Sequence, residues 1–222
     1  MKINGCNPFA DEKIASGYEM WYQNAGRRAD KQEKILLNWL LRFFPTAECI
    51  LEVGCGTGHF TRWFEKGLGL QAFGFDLSHS MLSEAKALHT PRLVQGDAGK
   101  IPFPSKSVDI VVLITTLEFL ADPMVVIKEA YRLARQGILL GVINKHSILG
   151  VQNKLSGGPV WDNAQFFTIS KMKKMLRGIL GSRIEIIWRT TLWPMIPWYL
   201  PLPWGGFIGM AVKWRNRKEG IR

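Results

Sequence analysis

The chain has 222 residues and a net charge of +11, from 29 Lys and Arg against 18 Asp and Glu. Its 47% hydrophobic and 21% charged residues are ordinary for a globular domain, which excludes wholesale disorder. Three cysteines, Cys6, Cys49 and Cys55, are too few for a disulfide scaffold or a Cys-rich zinc module, so no metal centre is expected and a reduced, cytoplasmic setting is. The first residues, MKINGCNPFADEK, lack the apolar run of a signal peptide.

The positive charge is concentrated late in the chain. Residues 1–150 carry 17 Lys and Arg against 15 Asp and Glu, whereas residues 151–222 carry 12 against 3. A surplus of +9 in the last third suits either an anionic partner or a solvated basic face. Thr190 to Val212 contains no charged residue and is long enough to span a bilayer. Pro194, Pro197, Pro201 and Pro203 would remove helix hydrogen bonds that lipid cannot replace, so a transmembrane helix is rejected.

In chain order, a short helix is expected around Tyr18, Trp21 and Tyr22. A longer one over 28–44 follows, with Leu36, Leu37, Leu40, Leu41 and Phe44 at helical spacing and Pro45 as its stop. Strands are expected at 49–53, 71–75, 92–95, 108–114 and 137–143. They alternate with helices after Thr57, at 81–88 capped by Ser78, and after Asp122-Pro123. The run at 108–114 is apolar and β-branched, as in a strand buried on both faces. This alternation predicts an α/β, doubly wound, mostly parallel sheet with helices on both faces. Residues 145–168 read as mostly loop. A basic helix at 170–180 and strands at 183–189 and 207–214 complete seven strands, the last two joined by a long loop and able to pair antiparallel at the sheet edge.

The segment Leu51-Glu-Val-Gly-Cys-Gly-Thr-Gly-His-Phe60 places three glycines between a strand and a helix. Such a turn lets backbone N–H groups and a helix N-terminus approach a ligand with no Cβ in the way. A dinucleotide fingerprint would need glycine where His59 stands, and no Gly-Lys-Ser/Thr follows to make a P-loop. An acid, Glu52, lies two residues before the first glycine and suits a ligand with positive charge near that strand end. Asp76 ends the next strand, 22 positions after Gly54, where a carboxylate can accept both hydroxyls of a ribose. Asp97 ends the third strand, so the three acids share one rim of the sheet.

On these residues the chain resembles the class I S-adenosylmethionine-dependent methyltransferases, closest to the ubiquinone/menaquinone-biosynthesis-like, type 11 group. The matching stretches are ILEVGCGTGHFT (50–61), GFDLSHSMLSEA (74–85), VQGDAGKIPFPSKSVDIVV (94–112) and the weaker TTLEFLADP (115–123). The resemblance implies a Rossmann-like fold with an antiparallel last strand, S-adenosylmethionine as cofactor and S-adenosylhomocysteine as product. It also implies roles. Glu52 and the loop Gly54, Cys55, Gly56, Thr57 and Gly58 surround the methionine portion, and Asp76 takes the ribose. Leu77 and Met81 pack on the adenine face, Asp97 and Ala98 meet its edge, and Thr115 and Thr116 border the methyl donor. The resemblance assigns no chemistry of their own to Cys55 or His59. One domain is expected, with 1–47 as a helical lid, 48–143 as the cofactor core and 144–222 as a basic, Trp/Pro-rich substrate side. Tyr18, Trp21 and Tyr22 belong to the lid, with Gly26-Arg27-Arg28 as its hinge. Trp193, Trp198 and Trp204 border the acceptor side.

Methyl transfer from a sulfonium needs orientation more than a strong base. His146, after the fifth strand, is the candidate base. The place where base-nitrogen methyltransferases carry Asp/Asn-Pro-Pro-aromatic holds Thr115-Thr-Leu-Glu-Phe119, and no Pro-Cys pair is present, so nucleic acid is disfavoured. A small, apolar or lipid-like acceptor is expected, with peripheral membrane contact through Lys171, Lys173, Lys174 and the Trp loop. The competing readings are an RNA or protein methyltransferase using the basic last third, and a non-catalytic S-adenosylmethionine-binding module.

Overall fold

A computed structural model describes residues 7–158, 160–193, 196 and 198–215. Seven strands form one sheet: β1 (Cys49–Val53), β2 (Gln71–Asp76), β3 (Leu93–Gln95), β4 (Val108–Ile114), β5 (Ala134–Ile143), β6 (Ile184–Thr191) and β7 (Phe207–Trp214). Their order is β3-β2-β1-β4-β5-β7-β6. Strands β1 to β5 pair in parallel, while β7 slots between β5 and β6 antiparallel to both. The doubly wound sheet with an antiparallel last strand is therefore present as expected, with β6 at the edge.

The helices are α1 (Glu12–Gln23), α2 (Arg27–Leu41), α3 (His59–Arg62, continuing as a wider turn to Gly67), α4 (His79–Ala87), α5 (Pro123–Leu133), α6 (Ile148–Ser156) and α7 (Ile169–Leu180). Each face of the sheet buries its own apolar layer. Val126, Ile127 and Leu133 of α5 and Met172 and Leu176 of α7 pack on one side. Leu36, Leu37 and Leu40 of α2 pack with Phe60 and Phe64 on the other. Polar N-caps set the helix starts: Asp11, Ser78, Asp122, Ser147 and Thr168 each accept a backbone N–H of the first turn.

One expectation is corrected. The stretch 145–168 contains α6, begun by Ser147, whose Oγ accepts the Gly150 N–H at 2.9 Å. Its apolar residues Ile148, Val151 and Leu155 face solvent. A helix that turns these three side chains outward gives little tertiary pattern to read. No helix among the described residues is long and apolar enough to cross a membrane.

Because β7 runs antiparallel, its first residue Phe207 pairs with Ile143 at the end of β5 and with Thr191 at the end of β6. The loops after β1, β2, β4, β5 and β6 therefore meet at one rim of the sheet.

Candidate active site

A cavity of about 910 Å³, including its open mouth, occupies that rim. Its floor is the glycine loop between β1 and α3 and the ends of β2, β3 and β4. Gly54 has φ of 76°, and a Cβ there would lie 2.4 Å from the Thr116 methyl. Thr116 in turn donates to the carbonyls of Val53 and Ile114, both at 3.1 Å, tying β1 to β4 where the loop begins. Gly56 has φ of 54°, a Cβ there would meet only Met81 Sδ at 4.0 Å, and the residue lines the cavity.

Asp76 steadies this loop. Its Oδ2 accepts the Gly56 N–H and its Oδ1 the Ser78 N–H, both at 2.8 Å. Burial pushes its pKa up while those backbone N–H groups oppose the shift. Glu52 is buried and bonded to the Thr61 hydroxyl. Burial raises its pKa to about 8, so near neutrality it is mostly the neutral acid. Thr115 sits at the end of β4 with φ of 48°, a conformation uncommon for a β-branched residue. Its N–H donates to Gly141 across to β5 at 2.8 Å.

The roof comes from the first forty residues. Phe9 lies 4.9 Å from Phe119 in an edge-to-face contact, and Ser78 donates to the Phe9 carbonyl at 2.6 Å. Tyr18 and Tyr22 of α1 reach into the cavity. Burial raises the Tyr18 phenol to about 12, so it stays protonated.

A cluster of charges clamps this roof to the floor. Glu19 accepts from Thr57 Oγ1 at 2.9 Å and from Arg62 at 2.6 Å, and lies 3.2 Å from His59 Nδ1. Burial opposes ionisation of Glu19, yet hydrogen bonds from His59 and Thr57 and the Arg62 charge hold it down at about 2. His59 Nε2 lies 2.7 Å from Asp30 of α2 and 2.8 Å from Lys34 Nζ. Burial lowers the His59 pKa, but its bonds to Asp30 and Glu19 raise it more. Tyr22 stacks on the imidazole with centroids 3.7 Å apart.

The cavity brings together Glu52, Gly54, Cys55, Gly56, Thr57, Asp76, Leu77, Met81, Asp97, Ala98, Thr115 and Thr116, with Tyr18 and Tyr22. Gly58 stands behind the loop against Thr90. Trp21 turns away, its ring over Gly26 and nearly half exposed. His146 is exposed before α6, its N–H on Asn144 Oδ1, and lies outside the cavity lining. The Trp loop also lies outside that lining. Trp193 is half-buried with Nε1 on the Thr190 carbonyl, while Trp198 and Trp204 are exposed. Pro194, Pro197 and Cys6 lie outside the described residues. Phe9, Glu19, His59 and Phe119 were missed by sequence reasoning. An acid on α1 facing a Thr-x-His-x-x-Arg turn was the available signal, but only folding brings the two together.

The floor fits an S-adenosyl cofactor on its own terms. Bare backbone at Gly54 and Gly56, a pinned strand-end carboxylate at Asp76 and a buried acid at Glu52 match a ligand with a ribose and an ammonium group. Comparison with known proteins agrees. Residues 51–141 match the type 11 family described as "Methyltransferase domain". The chain is 27% identical over 175 residues to an uncharacterised protein of Methanocaldococcus jannaschii, covering 75% of this chain and 78% of that one. It is 34% identical over 95 residues to the demethylmenaquinone methyltransferase of Geobacillus stearothermophilus, covering 39% of this chain and 41% of that one. The fold matches a crystal structure of a SAM-dependent methyltransferase from Thermotoga maritima, with TM-score 0.71 at 21% identity over 93% of this chain and 99% of the other. Residues 51–141 are therefore a type 11 methyltransferase domain, and the chain is an S-adenosylmethionine-dependent methyltransferase with S-adenosylmethionine as its cofactor.

Proposed function

We propose that the enzyme methylates a small, uncharged or apolar acceptor held between the Thr115–Phe119 turn and the α1 roof. One observation carries this reading. The titratable acids lining the cavity are Glu52, Asp76 and Asp97, with no Lys or Arg among the described lining residues. A phosphate or carboxylate acceptor would meet acidic side chains there, with the His59 ring already engaged by Glu19 and Asp30. Beside the floor lie Phe9, Tyr18, Tyr22 and Phe119, an aromatic wall suited to an apolar body.

In this reading the Gly54–Gly58 loop and Glu52 hold the methionine part of the cofactor, and Asp76 the ribose. Leu77, Met81, Asp97 and Ala98 hold the adenine, and Thr115 and Thr116 border the sulfonium. The bound cofactor supplies an electrophilic methyl group. The chain supplies orientation and exclusion of water, which can account for ~7–11 kcal/mol of the barrier. Tyr18, held protonated, positions rather than deprotonates. The matched 95 residues shared with the demethylmenaquinone enzyme support the cofactor site more than the acceptor, because they span under half of either chain.

The test is a methyl-donor assay across quinols, other lipids, neutral phenols, amines, RNA and protein, read as S-adenosylhomocysteine release. Turnover with an uncharged small acceptor is expected. Turnover confined to RNA or protein would overturn the reading.

A further inference from the structure

We infer that α6 and the loop between β6 and β7 form a single docking face for an anionic membrane surface, set beside the cavity mouth. The inference deepens the proposed reading, because it names a bilayer as the place from which an apolar acceptor enters.

On α6, Ile148, Val151 and Leu155 stand at i, i+3 and i+7, so they share one helix face. They are 62%, 51% and 81% exposed. The loop after β6 adds Trp198 at 64%, Leu202 at 42% and Trp204 at 61%. Three side-chain bonds join these pieces. Asn144 Nδ2 donates to the carbonyls of Pro203 and Gly205 at 2.7 and 2.8 Å, while its own carbonyl accepts from the α6 cap Ser147 at 2.7 Å. Solvent-facing apolar side chains of this size at one rim are more than the scattered exposed residues of an ordinary surface. Tryptophan in a loop and an apolar stripe on a short helix are how a protein seats itself at headgroup depth.

The face adjoins the cavity. Trp161, in the turn after α6, lies 5.9 Å from Phe119, and Gln165 Nε2 donates to the Leu120 carbonyl at 2.7 Å. Phe119 and Leu120 both line the cavity.

Charge selects the occupant. Residues 145–204 contain eight Lys and Arg and two acids, Asp162 and Glu185. Lys145 is exposed immediately before α6, and Lys171 is exposed with its ammonium 4.9 Å from the Phe167 ring, next to Asn144. A second copy of the same face would bring like charges together, whereas anionic headgroups complement them. Membrane contact through Lys171, Lys173, Lys174 and the Trp loop therefore changes its details. Trp193 is tied to Thr190 and Lys173 is packed over Trp188 at 4.8 Å, so α6 takes their place.

The experiment is co-sedimentation of the full chain with phosphatidylcholine vesicles, with and without phosphatidylglycerol, at low and high salt. Calorimetric binding of S-adenosylhomocysteine serves as the control for folding and cofactor site. Binding to the anionic vesicles at low salt is expected, weakening as salt screens it. The Ile148→Gln, Val151→Gln, Leu155→Gln triple variant should bind them about tenfold or more weakly, with unchanged S-adenosylhomocysteine affinity. Two results overturn the inference: no vesicle binding by the wild-type chain, or equal binding by the triple variant. A wild-type dimer that the same three substitutions dissociate, without vesicle binding, would assign the face to self-association instead. Loss of S-adenosylhomocysteine binding by the wild-type chain would strike the proposed function, whatever the vesicles show.

Discussion

The floor of the cavity and its roof are held by different kinds of bond. On the floor, backbone N–H groups of Gly56 and Ser78 fix Asp76, and Thr116 ties β1 to β4. On the roof, side-chain charges of Glu19, Asp30, His59, Arg62 and Lys34 fasten α1 and α2 to the loop below. Backbone geometry does not titrate and is little screened by salt. Half-buried ion pairs do both. The contrast predicts recognition at the floor and opening at the roof, and each can be tested separately.

The largest effect is expected at Gly56. Valine there would be strained at φ of 54° and would place its side chain in the cavity against the cofactor. Gly56→Val should abolish S-adenosylhomocysteine binding in calorimetry while the far-ultraviolet spectrum stays native. Retained binding would remove the loop from the cofactor site. Asp76→Ala comes next. Loss of hydrogen bonds to a charged group costs about 1.5–3 kcal/mol, or roughly a 10- to 150-fold weaker cofactor. An unchanged dissociation constant would end the ribose assignment.

Legibility in the sequence divides along the same line. The floor was readable because its cavity-lining residues sit at or just beyond strand ends. Glu52, Gly54, Asp76 and Asp97 are spaced by local chain geometry alone. The roof was half readable: the aromatics of α1 pointed to a lid, but Trp21 turned out over Gly26 and Glu19 went unnoticed. Its clamp joins residues about forty positions apart, Glu19 to His59 and Arg62, and no local spacing encodes that pairing. The face beside the mouth was least readable. Helix α6 leaves Ile148, Val151 and Leu155 outward, so the amphipathic pattern that marks a buried helix has no core to match.

A third, smaller effect concerns Glu52, whose pKa is raised to about 8 by burial in the ligand-free chain. In the proposed site it faces the cofactor's ammonium, which favours the carboxylate. Binding below pH 8 then expels a proton, and affinity should rise with pH toward about 8 by at most tenfold per unit. Above that, the amino group itself, with an ordinary pKa of about 7.7–8.0, begins to lose its charge and the gain stops. Calorimetry at pH 6.5 in two buffers of different ionisation enthalpy should show proton release by the wild-type chain and none by Glu52→Gln. Equal proton release by both would place the titrating group elsewhere.

The smallest effect is expected from the clamp, because His59 has partners in both protonation states. Its folded pKa is raised by Asp30 and Glu19, so the charged contact is complete below pH 6.5 and fades as pH rises through the raised value. When the proton leaves, Nδ1–H can still donate to Glu19, and Nε2 can accept from Lys34 Nζ, which already lies 2.8 Å away. The Glu19 and Lys34 bonds survive, while the bond from Nε2–H to Asp30 and the charge attraction are lost. Half-buried pairs of this kind are worth about 1 kcal/mol, so in the Glu52→Gln background, which removes the larger pH effect of Glu52, S-adenosylhomocysteine should dissociate only about fivefold faster at pH 8.5 than at pH 6. Stopped-flow fluorescence measures that rate directly. Added to that background, Glu19→Gln removes the carboxylate that Arg62 and His59 share, and should raise dissociation at pH 6 to the level its parent reaches at pH 8.5 while flattening the pH dependence. Because Asp76 and the glycine backbone keep their bonds, the association rate should change less than the dissociation rate. If Glu19→Gln instead weakened binding as severely as Asp76→Ala, α1 would belong to the recognition surface and the division between fixed floor and opening roof would fail.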